Sequence, residues 1–334
     1  RYALPNATVY MNMAEFDPQF ALGHTQHIYL ERIAQVSPID LVRLEKATIY
    51  AGTYIVSTGN SVVEEQIPPS VGAGPAILVN IPMRTEDVPR ETLIVARFGA
   101  WTWGHWVGEL LPKIAVVEMA FPGRFLYAVP QPYGGLDCRN FRQSISAYGV
   151  ASERLVLLEP DRAYTLRRAW AVTSVWSDHI MHPAVAELMR RSVRAPADKP
   201  RAAKVALLRR RSAARVLENW DEIAVMLAAE GYTMIDITGM SFLEQVGTFR
   251  HAQAVFSTLG SGLTGLLYSP IGVAVTSVAP AIFGDRFFYA LVADRHGRYA
   301  DVRGPIVNAD PIVPHRGSFT VDRAHIAQAL AAVK

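Results

Sequence analysis

From about residue 93 onward, short apolar runs alternate with segments of helical pattern, and this alternation constrains the fold more than any other feature. Parallel strands need long crossover connections, which are usually helices, so the pattern is typical of a parallel α/β sheet. The predicted elements of the first series are strands at 92–96, 125–129 and 154–158 and helices over 104–120, 139–148 and 183–194. The sequence therefore predicts an α/β protein.

A second series of the same kind begins at Lys204. Ser241 with Glu244 three residues later forms a capping box, and Gly231 is placed to end a helix. The predicted elements are strands at 204–208, 233–237, 254–258 and 273–278, helices over 219–230, 241–251 and 263–268, and a closing helix over 322–332. A second α/β domain follows from this pattern.

The segments outside the two series complete the domain prediction. Residues 1–70 alternate β-branched segments with turns, which predicts a small antiparallel meander. Residues 194–201 are polar with two prolines, which is typical of a linker. We expect two Rossmann-like domains facing across a cleft, which agrees with 334 residues at about 100–200 per domain. Their bounds are 1–195 with the β-rich segment 1–70, a linker at 196–203, 204–318, and a closing helix at 319–334.

Composition excludes several classes of protein. A single cysteine, Cys138, cannot form an intrachain disulfide, and no apolar run is long enough to span a bilayer. The net charge of +3, from 33 basic and 30 acidic residues, is small for a nucleic-acid-binding protein. We expect a cytoplasmic protein without a nucleic-acid partner. A peripheral place at the inner face of the membrane stays open, as does the oligomeric state.

A Gly-rich turn at Gly260–Gly265 matches G-x-G-x-x-G between a predicted strand and a predicted helix. The dinucleotide fingerprint also expects an acidic residue at the end of the next strand. That strand ends at Thr276–Pro280 without a carboxylate. Because glycines let backbone N–H groups approach an anion at a helix start, the turn still suits a diphosphate. An NAD-dependent oxidoreductase and a tight turn without any ligand stay as alternatives.

An arginine segment follows the strand at 204–208. Arg209, Arg210 and Arg211 cannot all point the same way, and Arg215 lies four residues further on. Arginine grips phosphate oxygens with two parallel hydrogen bonds and stays charged at any relevant pH. The segment is either a phosphate clamp or a solvated basic loop.

The segment Trp101–Pro112 carries the densest chemistry of the chain. His105 and Glu109 share one helix face at i, i+4 spacing, and a carboxylate beside a histidine is suited to general base catalysis. Trp103 and Trp106 could stack on sugar rings on the acceptor side, although core packing is the simpler role for each tryptophan. A solvated hydrogen-bonded pair is likewise the simpler role for His105 and Glu109.

Metal and serine-hydrolase sites have little support. The pairs His24 with His27 and His179 with His182 lack a third ligand, and H-E-x-x-H is absent from the sequence. G-x-S-x-G is absent as well.

Six segments together resemble glycosyltransferase family 61, whose bacterial members are often described as capsular polysaccharide biosynthesis proteins. Their order along the chain matches the family. The segments are His105–Pro112, Phe141–Gly149, Arg209–Asn219, Glu244–Ala252, Gly260–Gly265 and Phe287–Tyr299.

The resemblance implies a GT-B fold and an inverting transfer from a nucleotide sugar to a hydroxyl of a glycan or glycoconjugate, with no obligatory metal or cofactor. By position, Glu109 would be the base and His105 would orient it. The residues implied for donor binding are Arg209, Arg210, Arg215, Asn219, Gly260, Ser261, Gly262, Leu263 and Thr264.

The chain departs from the family at three positions. Leu259 stands where the family usually has His, Gly265 where it has Asn, and Ser277 or Ala279 where it has Glu. These departures leave three alternatives open: a changed donor preference, a weakened or inactive enzyme, and a non-catalytic carbohydrate-binding or scaffold protein.

Overall fold

The computed structural model describes residues 2–16, 33–34, 38–59, 61–63, 84–132, 138–177, 180–194, 201–208, 214–283 and 285–334. The chain forms two compact units. We call Arg1–Val36, Trp176–Ala186 and Ala195–Lys334 the C-terminal unit, and Ser37–Val175 with Glu187–Arg194 the central unit.

The described strands, in chain order, are β1 (Tyr2–Ala3), β2 (Thr8–Met11), β3 (Ile33–Ala34), β4 (Leu41–Tyr50), β5 (Ile55–Thr58), β6 (Ser61–Val62), β7 (Arg84–Ile94), β8 (Leu126–Pro130), β9 (Leu155–Leu158), β10 (Arg162–Val172), β11 (Trp176–Ser177), β12 (Ile180–Met181), β13 (Lys204–Leu207), β14 (Thr233–Ile235), β15 (Ala254–Thr258), β16 (Ala274–Pro280), β17 (Arg298–Gly304), β18 (Ile306–Asn308) and β19 (Ser318–Phe319). The described α-helices are α1 (Trp103–His105), α2 (Leu111–Ala120), α3 (Cys138–Ser146), α4 (Pro183–Ser192), α5 (Trp220–Ala229), α6 (Phe242–His251), α7 (Arg286–Asp294) and α8 (Arg323–Val333). A π-helical turn, Trp106–Leu110, joins α1 to α2, and the longest 3-10 helix of the described residues is Ser261–Tyr268.

The C-terminal unit is built on a six-stranded sheet in the order β14-β13-β15-β16-β17-β2, in which every neighbouring pair is parallel. Counted from β13 to β17, the order is 2-1-3-4-5, one of the two common doubly wound arrangements. Side chains of α5, β15 and α8 form one buried cluster, which includes Ile223, Phe256 and Leu330. The α/β prediction is confirmed for this unit.

The first strands differ from their prediction. Residues 1–70 do not form one meander, because β2 pairs in parallel with β17 at the edge of the C-terminal sheet. A strand joins the edge that satisfies its backbone N–H and C=O groups, wherever that edge lies in the sequence. Residues 1–36 and 176–186 therefore belong with the C-terminal unit, which corrects the predicted bounds of 1–195.

The central unit has a mixed seven-stranded sheet in the order β6-β5-β4-β10-β7-β8-β9. β4, β5 and β6 form the antiparallel meander that the sequence predicts for this part. β7 lies between β10 and β8 and is parallel to both. The loop and helix that follow β7 therefore start at the carboxyl ends of parallel strands, where α/β proteins place their ligands.

Two local signals of the C-terminal unit are confirmed. The side chain of Ser241 accepts a hydrogen bond from the N–H of Glu244, and the carboxylate of Glu244 accepts one from the N–H of Ser241, which completes the capping box of α6. Gly231 follows α5 in the left-handed region at φ +82°. These contacts stabilise helix ends that orient the β14 and β15 connections.

Gly265 offers a test of packing in the Gly-rich turn. A Cβ at Gly265 would overlap the ring of Phe249, which is fully buried, whereas a Cβ at Gly262 would lie 3.8 Å from Ile237 Cγ2. We expect Gly265→Ala to lower the free energy of unfolding by about 1–3 kcal/mol. Gly262→Ala in the same short helix is the matched control, with a change within about 0.5 kcal/mol. Urea unfolding curves of both variants test this, and equal stability of the two would contradict it.

Candidate functional site

The first candidate site lies where the chain leaves β7. Gly99 takes a left-handed conformation at φ +84°, and its carbonyl accepts a 3.0 Å hydrogen bond from the hydroxyl of Thr102. This turn directs the chain into α1. Arg97 lies before the turn, and His105 and Glu109 lie on the helix after it.

The helix that carries the pair changes its geometry at this point. The N–H of Leu111 bonds the carbonyl of Trp106, which is the i to i+5 pattern of a π-helical turn. Pro112 follows directly and has no N–H to give to the carbonyl of residue 108. The widened turn accommodates the proline, and single π turns of this kind are frequent at functional sites.

Three side chains meet in the site. His105 Nδ1 lies 2.5 Å from Glu109 Oε1. Nη1 of Arg97 donates a hydrogen bond to the other carboxylate oxygen, Oε2. The side chains are 43% (His105), 25% (Glu109) and 38% (Arg97) exposed. The pair predicted from the i, i+4 spacing is therefore formed, and solvent or a ligand can reach it. The sequence analysis missed Arg97, which belongs to no motif.

The environment keeps the imidazole neutral. Burial, with a further contribution from the positive charge of Arg97, lowers the pKa of His105 to about 4. At neutral pH His105 therefore carries one proton, which leaves one ring nitrogen as an acceptor.

The two tryptophans differ in position. Trp106 is fully buried, donates a 2.8 Å hydrogen bond from Nε1 to Ser144 Oγ and packs on Phe141 at a centroid distance of 4.3 Å. A ring without exposed surface fits the simpler role of core packing, and the acceptor-side role of Trp106 stays a prediction. Trp103 is partly exposed, and its acceptor role stays a prediction.

The second candidate site is the carboxyl edge of the C-terminal sheet between β13 and β15. In the sheet, β14 lies on one side of β13, and β15, β16 and β17 follow on its other side. The strand order therefore reverses between β13 and β15, which is the topological switch point of the sheet. Doubly wound sheets bind ligands in the crevice at such a point. Arg215 follows β13 and the Gly260 turn follows β15.

In the Gly-rich turn, the backbone rather than the side chains is placed for a ligand. Leu263 and Thr264 are fully buried, and the hydroxyl of Thr264 bonds the carbonyl of Ser261 at 2.8 Å. Their side chains are therefore turned away from a ligand, and the donor contacts predicted for this helix start stay a prediction that only its backbone could meet. Ser261 and Gly262 are the first residues of the 3-10 helix. Their N–H groups therefore have no hydrogen-bond acceptor within the helix, because no helical turn precedes them.

Arg215 is held beside this turn. Its Nε donates to the carbonyl of Leu259 at 3.1 Å, and its guanidinium lies 4.3 Å from the centroid of Phe283. Burial lowers the pKa of Arg215, with a smaller opposing effect of Asp285. The structure therefore brings Arg215 to the Gly260 turn. Arg209 and Arg210 lie outside the described residues.

Three further residues join Arg215 that the sequence analysis missed. His315 stacks on Phe283 at a centroid distance of 5.1 Å, and the backbone N–H of Arg215 bonds the carbonyl of Arg316 at 2.7 Å. Burial, followed by the charges of Arg215 and Arg316, lowers the pKa of His315. Within the described residues, neither arginine forms a salt bridge with a carboxylate. Arg215 and Arg316 form a cationic cluster that is suited to an anion, with the neutral imidazole of His315 beside it.

The side chain of Asn219 has a structural role in the C-terminal unit. Its Nδ2 donates to the carbonyl of Val321 at 2.8 Å, and its Oδ1 accepts from the N–H of Val321 at 3.2 Å. Both ends of the amide are used to hold the chain that leads into α8. The donor contact of Asn219 stays a prediction.

The profile of the family described as Glycosyltransferase 61 matches residues 103–276, which is more than half of the chain. The chain belongs to glycosyltransferase family 61. A search of curated proteins finds no match to the chain. As a family 61 glycosyltransferase, the protein requires a sugar donor and an acceptor.

The family match separates the site residues into two groups. His105, Glu109, Arg215 and the Gly260–Gly265 turn lie inside the matched range. The residues that the fold adds, Arg97, Phe283, His315 and Arg316, lie outside it. A motif comparison of the glycosyltransferase alone could not have found them.

Two searches of the described part of the chain gave no site. It holds no group of three or more His, Cys, Asp or Glu side chains placed to bind a metal ion, and none of its helices has the length and apolarity needed to cross a membrane. Nδ1 of His182 accepts a hydrogen bond from the N–H of Ala184 at the start of α4. His24, His27 and His179 lie outside the described residues.

Proposed function

We propose that this glycosyltransferase is inverting and moves a sugar from a nucleotide-sugar donor to a hydroxyl of a glycan or glycoconjugate, in the biosynthesis of a bacterial surface polysaccharide. The observation that supports the reaction most is the accessible His105–Glu109 pair at the carboxyl end of β7, inside the family match. An inverting transfer needs a group that removes the acceptor's proton as its oxygen attacks the anomeric carbon. The pair supplies such a group.

The C-terminal unit supplies the complementary chemistry. A departing nucleoside diphosphate gains negative charge, which fixed positive groups stabilise. Arg215, the N–H groups at the Gly260 turn and the undescribed Arg209 and Arg210 are our candidates for this role. Arg316 adds to them. Asp285, a carboxylate close to Arg215, caps α7 by accepting a hydrogen bond from the N–H of Phe287. We propose that protein charge takes this role without an obligatory metal.

We propose a GT-B-like organisation, in which each unit carries one half of the reaction. Two observations support it: each unit has its own sheet with parallel strands, and each carries candidate groups that follow the ends of those strands. We propose a cytoplasmic location. A lipid-linked acceptor would require peripheral association of the protein with the membrane.

Family membership displaces the oxidoreductase alternative. The end of β16 adds a structural reason, because its last residues are Val278, Ala279 and Pro280, with no carboxylate to hold a ribose. Sugar transfer by the purified protein would distinguish an enzyme from a non-catalytic relative, which would bind its ligand without turnover.

Donor binding gives the test of the proposed function. We expect a nucleoside diphosphate to bind in titration calorimetry and NAD not to bind. Charge-assisted hydrogen bonds contribute about 1.5–3 kcal/mol, so Arg215→Gln should weaken binding about tenfold or more. The exposed Arg316→Gln should weaken it in the same direction.

The matched control is Arg323→Gln, an exposed arginine of the same unit that pairs with Glu222. Its affinity should stay within about twofold of the unmodified protein. Binding of NAD in place of nucleoside diphosphates would overturn the donor class. Unchanged affinity in both Arg215→Gln and Arg316→Gln would overturn the location of the site.

A further inference from the structure

Both carboxylate oxygens of Glu109 already accept a hydrogen bond. Oε2 accepts from the guanidinium of Arg97, and Oε1 faces His105 Nδ1 at 2.5 Å. A carboxylate that accepts from an arginine is stabilised in its ionised form and is a weaker base. Glu109 is therefore poorly placed to take a proton from a substrate.

His105 has the opposite arrangement. Because Oε1 of an ionised Glu109 can only accept, the hydrogen between them lies on Nδ1. Nε2 is then the ring nitrogen with a free lone pair, and among the described residues no hydrogen-bond partner occupies it. The low pKa of His105 keeps it in this neutral form at physiological pH.

A glycine borders the Nε2 edge of His105. Gly99 lies beside it, where a Cβ would be 3.3 Å from His105 Cδ2 and 3.6 Å from Nε2. Gly99 is in the left-handed region, which a larger side chain would enter only with strain. The absence of a side chain here leaves space next to Nε2 for a hydroxyl group.

We propose that His105 Nε2 takes the acceptor's proton and that Arg97 is a positioning residue, which holds Glu109 against Nδ1. The proposal rests on the proposed glycosyl transfer. The resemblance to the family implies Glu109 as the base, whereas this proposal assigns that role to His105.

The O–H bond of the acceptor breaks and its proton goes to His105 Nε2, while the oxygen lone pair forms the new bond to the anomeric carbon. The bond from that carbon to the phosphate oxygen breaks, and its electron pair leaves with the nucleoside diphosphate. Glu109 stabilises the imidazolium that forms, and the proton then passes to solvent.

Arg97 has two effects in this arrangement. Its hydrogen bond fixes the rotamer and ionisation of Glu109, and its positive charge disfavours a second proton on His105. The charged groups that face His105 among the described residues are Glu109 from its own helix and Arg97 from the preceding loop. Loss of Arg97 should therefore raise the pKa of His105.

The first test reads the imidazole directly and needs no activity. In ¹⁵N NMR of histidine-labelled protein at pH 7, we expect His105 to be neutral with its hydrogen on Nδ1. The pH midpoint of its titration should rise by about one unit in Arg97→Gln. It should stay unchanged in Arg97→Lys and in Arg167→Gln, a matched variant of the exposed pair with Asp87. A hydrogen on Nε2 in the unmodified protein would overturn the proposal.

The second test compares two replacements of Glu109. In Glu109→Gln, Arg97 holds the amide oxygen, so the amide NH₂ donates to Nδ1 and moves the histidine hydrogen to Nε2. Glu109→Ala leaves the tautomer free. We therefore expect the alanine variant to turn over about tenfold or more faster than the glutamine variant, since a wrong tautomer costs up to about 10⁴ in kcat.

If Glu109 were the base, both variants would be equally inactive, and this result would overturn the proposal. In Arg97→Gln, kcat should fall about tenfold with little change in KM. The acid limb of its pH–rate profile should move to higher pH. The expected NMR result without any glycosyl transfer by the unmodified protein would overturn the proposed function instead.

Discussion

Replacing Asp301 with alanine is expected to lower the free energy of unfolding of the C-terminal unit by about 3–5 kcal/mol. Asp301 and Arg303 are both fully buried in β17, and Oδ2 of the aspartate accepts from Nη2 of the arginine at 2.7 Å. Asp301 Oδ1 also accepts from the hydroxyl of Ser277 at 3.3 Å. Without the carboxylate, the buried guanidinium loses its charge-assisted hydrogen bond with Asp301.

The surroundings of Arg303 limit how far it can adjust. Its guanidinium carbon lies 5.2 Å from the ring centroid of Phe16, and the side chain of Asn12 exchanges two 2.8 Å hydrogen bonds with its backbone. Because strand β17 is held on both edges by β16 and β2, the arginine cannot reach solvent without breaking the sheet.

Urea unfolding measures this effect, and two variants serve as controls. Glu222→Ala breaks the exposed pair with Arg323 and should cost no more than about 1 kcal/mol. Asp301→Leu combined with Arg303→Met removes both charges and should recover most of the loss. A loss below about 1 kcal/mol in Asp301→Ala would contradict the role of the buried pair.

Replacing His105 with alanine is expected to lower kcat by about 10²–10⁴, the usual contribution of a general base. His105 is 43% exposed, so its removal should not unfold the central unit. The donor should still bind within about twofold, because the cationic cluster at Arg215 is intact. The measurement is the steady-state rate of nucleoside diphosphate release with a saturating acceptor.

Added imidazole gives this prediction its specificity. A free imidazole can enter the space that the alanine leaves and take the proton, so millimolar imidazole should restore part of the rate in His105→Ala. The control is His325→Ala, which removes a surface histidine of α8 that bonds the hydroxyl of Tyr10. It should keep the full rate and show no response to imidazole. A His105→Ala variant with full activity would contradict the site.

The elements that the sequence predicted are those with local signals. The apolar runs of β8 and β15, the capping box of α6 and the i, i+4 spacing of His105 and Glu109 each depend on residues close together in the chain. Such signals act within one or two turns or one strand. They located both the fold class and the paired residues of the central unit.

β10 and β17 were missed because charged side chains interrupt their patterns. In β17, Asp301 and Arg303 face the interior as a pair, so two charges occupy positions that a sequence pattern assigns to the surface. In β10, Arg167 pairs with Asp87 of the neighbouring β7 on an exposed face. Neither partner is visible without the strand register.

Long-range packing explains the other differences. Arg97, Phe283 and Arg316 reach their sites only through the fold, and β2 pairs with β17, which lies about 290 residues later in the chain. Gly265, where the family usually has Asn, is explained by the ring of Phe249, which fills the space of a side chain. This departure is a packing adjustment and does not require a lost donor contact.

The most direct measurement of the central claim is nucleoside diphosphate release by the unmodified protein across a panel of nucleotide sugars, with glycan acceptors analysed by mass spectrometry. We predict release with at least one donor, an acceptor that gains the mass of one sugar residue, and the loss of both signals in His105→Ala. Release at the same rate in His105→Ala, or no transfer from any donor to any acceptor, would contradict the assignment of this chain as a nucleotide-sugar-dependent transferase that acts through His105.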